Sequence, residues 1–139
     1  MGLKKGKEKK MFTPHKSDTG AVLPHEYVPA AAGVYEAGQM LAMSGGMCAA
    51  LASASAATPA YLCMAEKKID EAGGLLPVTR VSAGVIYETT LSAAAETAAP
   101  GVKLRVSAGG KQVSAGAGTF EVTALDGTAE GSSVRGRFV

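Results

Sequence analysis

No charged side chain occurs between Glu36 and Glu66, an interval that contains GGMCAALASASAATPAYLCMA at residues 45–65. A stretch this long without charge is either a bilayer span, which takes about 20 apolar residues, or part of a packed β-core. A helix across it would have to carry Gly45-Gly46 and Pro59, at a cost of about 1 kcal/mol per glycine and about 3 kcal/mol for the proline. Ala and Ser also add little insertion energy beside Leu, Ile, Phe and Val. The run therefore reads as two strands, QMLAM (39–43) and MCAAL (47–51), folded about Ser44-Gly45-Gly46. A small-residue loop, LASASAATPA, and a third strand, YLCMA (61–65), follow.

The same punctuation continues from Gly33 to the end of the chain. VKLRV (102–106) sets Val102, Leu104 and Val106 against Lys103 and Arg105, the period-two pattern of a strand with one dry face. FEVTA (120–124) and SVRGRFV (133–139) alternate in the same way, joined by a link that begins at Asp126-Gly127. LLPVTRV (75–81) and IYETTL (86–91) complete about eight short strands, the spacing of a small barrel or sandwich. Pro77 cannot donate to a ladder, so its strand is expected at an edge or starting near that point. SAAAETAAPG (92–101) is expected to form a helical turn stopped by Pro100-Gly101. At 139 residues, rich in Ala, Gly, Ser, Thr and Val and without Trp, the chain reads as one all-β domain.

The N-terminal part has a different character. Lys4, Lys5, Lys7, Lys9, Lys10 and Lys16 oppose only Glu8 there, so residues 1–16 carry about +5 and the rest about −3. No apolar core of a signal peptide follows the lysines, which speaks against export by that route. Thr13-Pro14, Leu23-Pro24 and Val28-Pro29 each push the residue before proline towards an extended path. Residues 1–30 thus read as an extended arm and residues 31–139 as the body. Phe12, Val22, Leu23, Tyr27 and Val28 are spaced along that arm for docking, too sparsely to build a core. On this reading, deleting residues 1–30 leaves a folded body.

The chain carries few of the patterns of reactive chemistry. There is no G-x-S-x-G, H-E-x-x-H or P-loop, and Gly116-Ala117-Gly118 is followed by Thr-Phe-Glu rather than by a dinucleotide fingerprint. Glu66, Asp70 and Glu71 lie among alternating charges in AEKKIDEAGG and read as a solvated connection. His15 and His25 fall in the proline-containing arm. Cys48 and Cys63 match no zinc or thioredoxin spacing and read as small buried hydrophobes, reduced in a cytoplasm. No catalytic, cofactor or metal site is expected. A mildly acidic body without a basic face of interleaved aromatics argues against direct nucleic-acid readout, although the lysine-rich head suits an acidic partner.

EYVPAAAGVYEAGQMLAMSGGMCAAL, PAYLCMAEKK and the ending APGVKLRVSAGGKQVSAGAGTFEVTALDGTAEGSSVRGRFV together resemble the capsid decoration, or cement, proteins of tailed bacteriophages. The resemblance covers about residues 26–139 and is one of pattern. It rests on Gly33, Gly38, Gly45 and Gly46, then on Phe120, Val122, Asp126, Gly127, Val134, Arg135 and Phe138. It implies a small β-barrel or β-tulip on the outer surface of an expanded head, assembled in the host cytoplasm, and no active site. The implied partners are the major capsid protein and two further copies in a homotrimer, with no membrane. The lysine-rich head and the LASASAATPA loop depart from the pattern. Because QMLAM, MCAAL and YLCMA are apolar on both faces, part of their surface is expected between subunits, with Met40, Leu41, Met43, Met47 and Leu51 as candidates. Other classes fit less well: a phage tail or head-completion protein, a carbohydrate-binding β-domain and, last, a small enzyme.

Overall fold

Period-two alternation needs an inside for every strand, and the chain makes two of them. A computed structural model describes residues 11–17 and 25–139. Its strands are β1 (Thr13–Ser17), β2 (Glu26–Ala30), β3 (Gly33–Tyr35), β4 (Met40–Ser44), β5 (Met47–Ala50), β6 (Tyr61–Cys63) and β7 (Lys67–Ile69). They continue with β8 (Gly74–Arg80), β9 (Val85–Thr90), β10 (Lys103–Val106), β11 (Val113–Ser114), β12 (Phe120–Leu125) and β13 (Ser133–Phe138). The fold is all-β; helix among the described residues is limited to one 3-10 turn at Ala108–Gly110.

Five strands close a barrel in the order β2-β5-β4-β6-β8, with β8 returning to β2. Every barrel pair is antiparallel except β2 with β5, which meet in parallel at Ala30 and Cys48. Val28, Ala30, Leu41, Cys48, Tyr61, Cys63, Leu76 and Val78 fill its interior, with Tyr35 and Ile69 from the β3–β7 ribbon. Six strands form a second, curled sheet in the order β1-β9-β13-β12-β10-β11. Its inner face carries Phe12, Tyr87, Leu104, Val106, Phe120, Val122, Val134 and Phe138.

The join between the two units explains the strands that are apolar on both faces. Met40 and Leu62 face each other across β4 and β6, yet they belong to the core of the curled sheet. The outer face of the barrel at these strands is therefore the lid of the second core. The surplus apolar surface is consumed inside one chain: Met40 and Leu41 are fully buried, one in each core. Burial of this kind contributes about 25 cal/mol per Å² of apolar area, and it removes both residues from any subunit interface.

The described parts of the N-terminal segment, residues 11–17 and 25–30, are extended as expected, but they are built into the body. β1 pairs with β9 as an edge of the curled sheet, with a register shift between Pro14 and Lys16. Phe12, 1% exposed, lies 5.9 Å from the Phe120 ring and 6.3 Å from the Phe138 ring. Its N–H donates to the Gly38 carbonyl at 2.8 Å, and Gly38 N–H donates to Cys63 at 2.8 Å. A β-carbon at Gly38 would stand 2.5 Å from that of Met11, so only glycine lets the segment lie this close. β2 is a barrel stave paired along its length with β8. A boundary after residue 30 would therefore cut through the barrel wall.

Two further expectations change, and the long loop gains definite contacts. The strand containing Pro77 is internal, with β2 on one side and β6 on the other. Pro77 is tolerated because its carbonyl accepts from Met64, one residue past the end of β6, so the missing N–H falls where that ladder has ended. Residues 92–101 form no helix; successive turns place Ala95 and Ala98 in the core of the curled sheet. LASASAATPA is tied to the curled sheet: Ser55 exchanges backbone hydrogen bonds with Val106, and Thr58 Oγ1 meets Thr119 Oγ1 at 2.7 Å.

Candidate functional site

Side chains that alternate with the barrel's interior define its outer face. On β2, Tyr27 and Pro29 alternate with the buried Val28 and Ala30; on β8, Leu75 and Pro77 alternate with Leu76 and Val78. The register sets Tyr27 opposite Pro77 and Pro29 opposite Leu75, so the four form one cross-strand patch. Tyr27 is 67% exposed and Leu75 is 50% exposed. Next to β2, the outward residues of β5 are Met47 and Ala49, which face Ser44 and Ala42 of β4. Across these four strands the outward residues named carry no charge. A contiguous uncharged patch of this kind is the candidate interaction surface of the described residues.

At one end of the patch, Arg80 pairs with Glu26 at 3.2 Å and lies over the Tyr61 ring at 5.3 Å. Lys67 Nζ donates to the Leu75 carbonyl at 2.8 Å at the other. These polar groups border the patch as a rim, and exposed pairs of this kind contribute at most about 1 kcal/mol each.

The sequence-derived contact residues divide into three groups. Lys4, Lys5, Lys7, Lys9, Lys10, Val22 and Leu23 lie outside the described residues. Phe12, Val28, Met40 and Leu41 are buried within the chain, and Leu51 packs against the core of the curled sheet. Tyr27, Met43 and Met47 remain accessible, Met43 at 43%. Leu75, Pro77 and Pro29 were not singled out from the sequence, although the alternation Leu75-Leu76-Pro77-Val78 places two apolar side chains outward in whichever register the strand adopts.

Reactive groups do not converge. Among the described residues, no three His, Cys, Asp or Glu side chains are grouped to hold a metal ion, and no helix is long and apolar enough to cross a membrane. Cys48 and Cys63 are free thiols buried in the barrel. Burial pushes both thiols up from their ordinary range, and each donates to a carbonyl, Cys48 to Pro29 at 3.5 Å and Cys63 to Ala65 at 3.2 Å. They behave as small core hydrophobes. Glu66, Asp70 and Glu71 are exposed around β7, where Asp70 pairs with Lys68 at 3.7 Å. His25 is exposed at the start of β2.

No protein-family model, curated protein or solved structure matches the chain. The geometry of the outer barrel face is what bears on function.

Proposed function

We propose that the protein is a structural component of a tailed-phage virion, a decoration protein that binds the outer surface of an expanded head. It acts as a homotrimer that bridges neighbouring major capsid proteins. The observation that carries this reading is the uncharged outer face of the barrel, on which Tyr27 and Leu75 are exposed. Such a face suits a permanent apolar contact between subunits, whereas a catalytic cleft needs convergent polar groups. The sequence pattern of the barrel and of the final hairpin points the same way.

The mechanism is mechanical. A shell under internal pressure fails at its subunit junctions. A trimer that touches several capsid subunits ties those junctions together, and the contacts reinforce one another because all are tethered to one rigid body. Carbohydrate binding is the weaker reading, because of seven aromatic side chains only Tyr27 is exposed and the other six are buried. Stacking recognition of a sugar needs a broader platform. Co-sedimentation with expanded, undecorated heads tests the proposal: wild-type protein pellets with the heads and Tyr27→Asp does not. Wild-type protein left in the supernatant would refute it.

A further inference from the structure

The outer face of the curled sheet has a chemistry opposite to that of the barrel. Lys103 and Arg105 alternate on β10 with the buried Leu104 and Val106. Glu121, Arg135, Arg137 and Glu88 point the same way from β12, β13 and β9. The register aligns Lys103 with Glu121 and Glu121 with Arg137, and sets Arg135 beside Glu88. Four cations thus share the face with two carboxylates, although the chain beyond residue 16 is net acidic.

Arg105 is the unusual member. Its Nε is buried and makes no hydrogen bond, as is also true of Arg135 Nε, but Arg135 has Glu88 at 3.8 Å whereas no carboxylate approaches the Arg105 guanidinium within 4.0 Å among the described residues. The β11–β12 loop folds over it: a β-carbon at Gly116 would collide with Nε and stand 2.6 Å from Nη2 and 2.7 Å from Cζ. Gly118 approaches the Leu104 carbonyl and the Arg105 Cα so closely that a β-carbon there would also collide. Gly118, packed against backbone, is what lets the loop lie this close over Arg105, and Gly116 at φ +134° brings no side chain against the guanidinium. The backbone N–H groups of Ala115, Gly116, Ala117 and Gly118 make no hydrogen bond to the described chain. Lys103 stands two residues away on the same face, about 7 Å along the strand.

We infer that Arg105, with the Ala115–Gly118 loop and Lys103, forms a docking site for carboxylate side chains of an acidic polypeptide partner. A guanidinium whose Nε edge is covered keeps its two Nη groups for a bidentate carboxylate, and the loop amides extend the donor set. The orphaned Nε gives the site its polarity: a half-buried cation without a counter-ion gains from an incoming one. Glu88 and Glu121 on the same face favour a protein surface of mixed charge over the continuous phosphates of a nucleic acid. The inference stands whether or not the capsid reading does.

The test uses the full-length protein and residue-resolved NMR. Hexaglutamate is titrated in, with hexalysine, inorganic phosphate and a short oligothymidylate in parallel. Hexaglutamate should shift the Arg105 Nε–Hε signal and the amides of residues 115–118 saturably, weakening as salt is added. Arg105→Lys keeps the charge but loses the fork, so affinity at these signals falls about tenfold. Lys68→Gln, on the far ribbon, leaves it unchanged. Shifts confined to residues 1–10, stronger perturbation of the loop by phosphate or oligothymidylate, or equal affinity in a folded Arg105→Lys variant would each overturn the inference.

Discussion

Gly136 on β13 lies beneath the ring of Phe120 on β12. A β-carbon at position 136 would stand 2.8 Å from Cε2 of that ring and collide with the Glu121 carbonyl oxygen. The residue between Arg135 and Arg137 must point into the core, because the flanking arginines point out. There the space is taken by Phe120, which contacts Phe138 edge-on at 5.2 Å. Gly136→Ala should therefore cost about 1–3 kcal/mol through overpacking, read as a lower urea midpoint at unchanged m-value. An unchanged midpoint would mean that the ring and strand adjust freely.

Phe12 joins the N-terminal segment to that ring cluster. Phe12→Ala should destabilise the body by about 3–5 kcal/mol, as expected for removal of a fully buried aromatic. Deleting residues 1–30 removes β2 as well and opens the barrel, so the truncated chain should show no cooperative unfolding transition. A cooperative transition close to that of the full chain would restore the picture of a detachable arm.

Alkaline pH should weaken the fold in a defined window. Burial raises the native values of Cys48 and Cys63 above those of the unfolded chain, so the native state keeps protons that the unfolded state releases. This stabilisation is complete below about pH 8.5 and is lost as pH rises through the interval up to the native values. Tyr35 and Tyr87, also raised by burial, act in the same direction from about pH 10. Urea denaturation at a series of pH values from neutral to alkaline should give a falling midpoint, flattened below about pH 10 in a Cys48→Ala/Cys63→Ala variant. A midpoint independent of pH would contradict the assignment of neutral buried thiols.

The outer barrel face separates folding from association. Tyr27→Asp and Leu75→Asp alter exposed side chains, so each should change stability by no more than about 0.5 kcal/mol. Either should reduce a trimer to monomers in sedimentation velocity at micromolar concentration. Loss of the fold in these variants, or an unaltered oligomer, would remove the face from the interface.

Much of this architecture is written in local pattern, and the reasons it stops there are physical. VKLRV, FEVTA and SVRGRFV alternate strictly, and each is a strand with its apolar set inward. Gly45-Gly46 closes the β4–β5 hairpin, with φ of +60° and +83°. An extended arm and a sheet strand share the same backbone dihedrals, so the local pattern of residues 11–17 and 26–30 does not distinguish them. Only the partner strand, more than 40 residues away at β8 for β2 and more than 60 away at β9 for β1, tells them apart. Met40 shows the same limit. Its apolar character was visible, but whether its outward face meets another subunit or the curled sheet depends on long-range packing. The outer barrel patch was half legible, through Tyr27 and Met47, while Leu75 gained meaning only from its register with Pro29.

Decoration of a phage head, as proposed, is decided by imaging expanded, undecorated heads after incubation with the purified protein. Added density is expected at three-fold or quasi-three-fold positions, with three copies of a two-lobed β-body at each. Heads that stay bare, or density confined to a ring at a vertex, would contradict it.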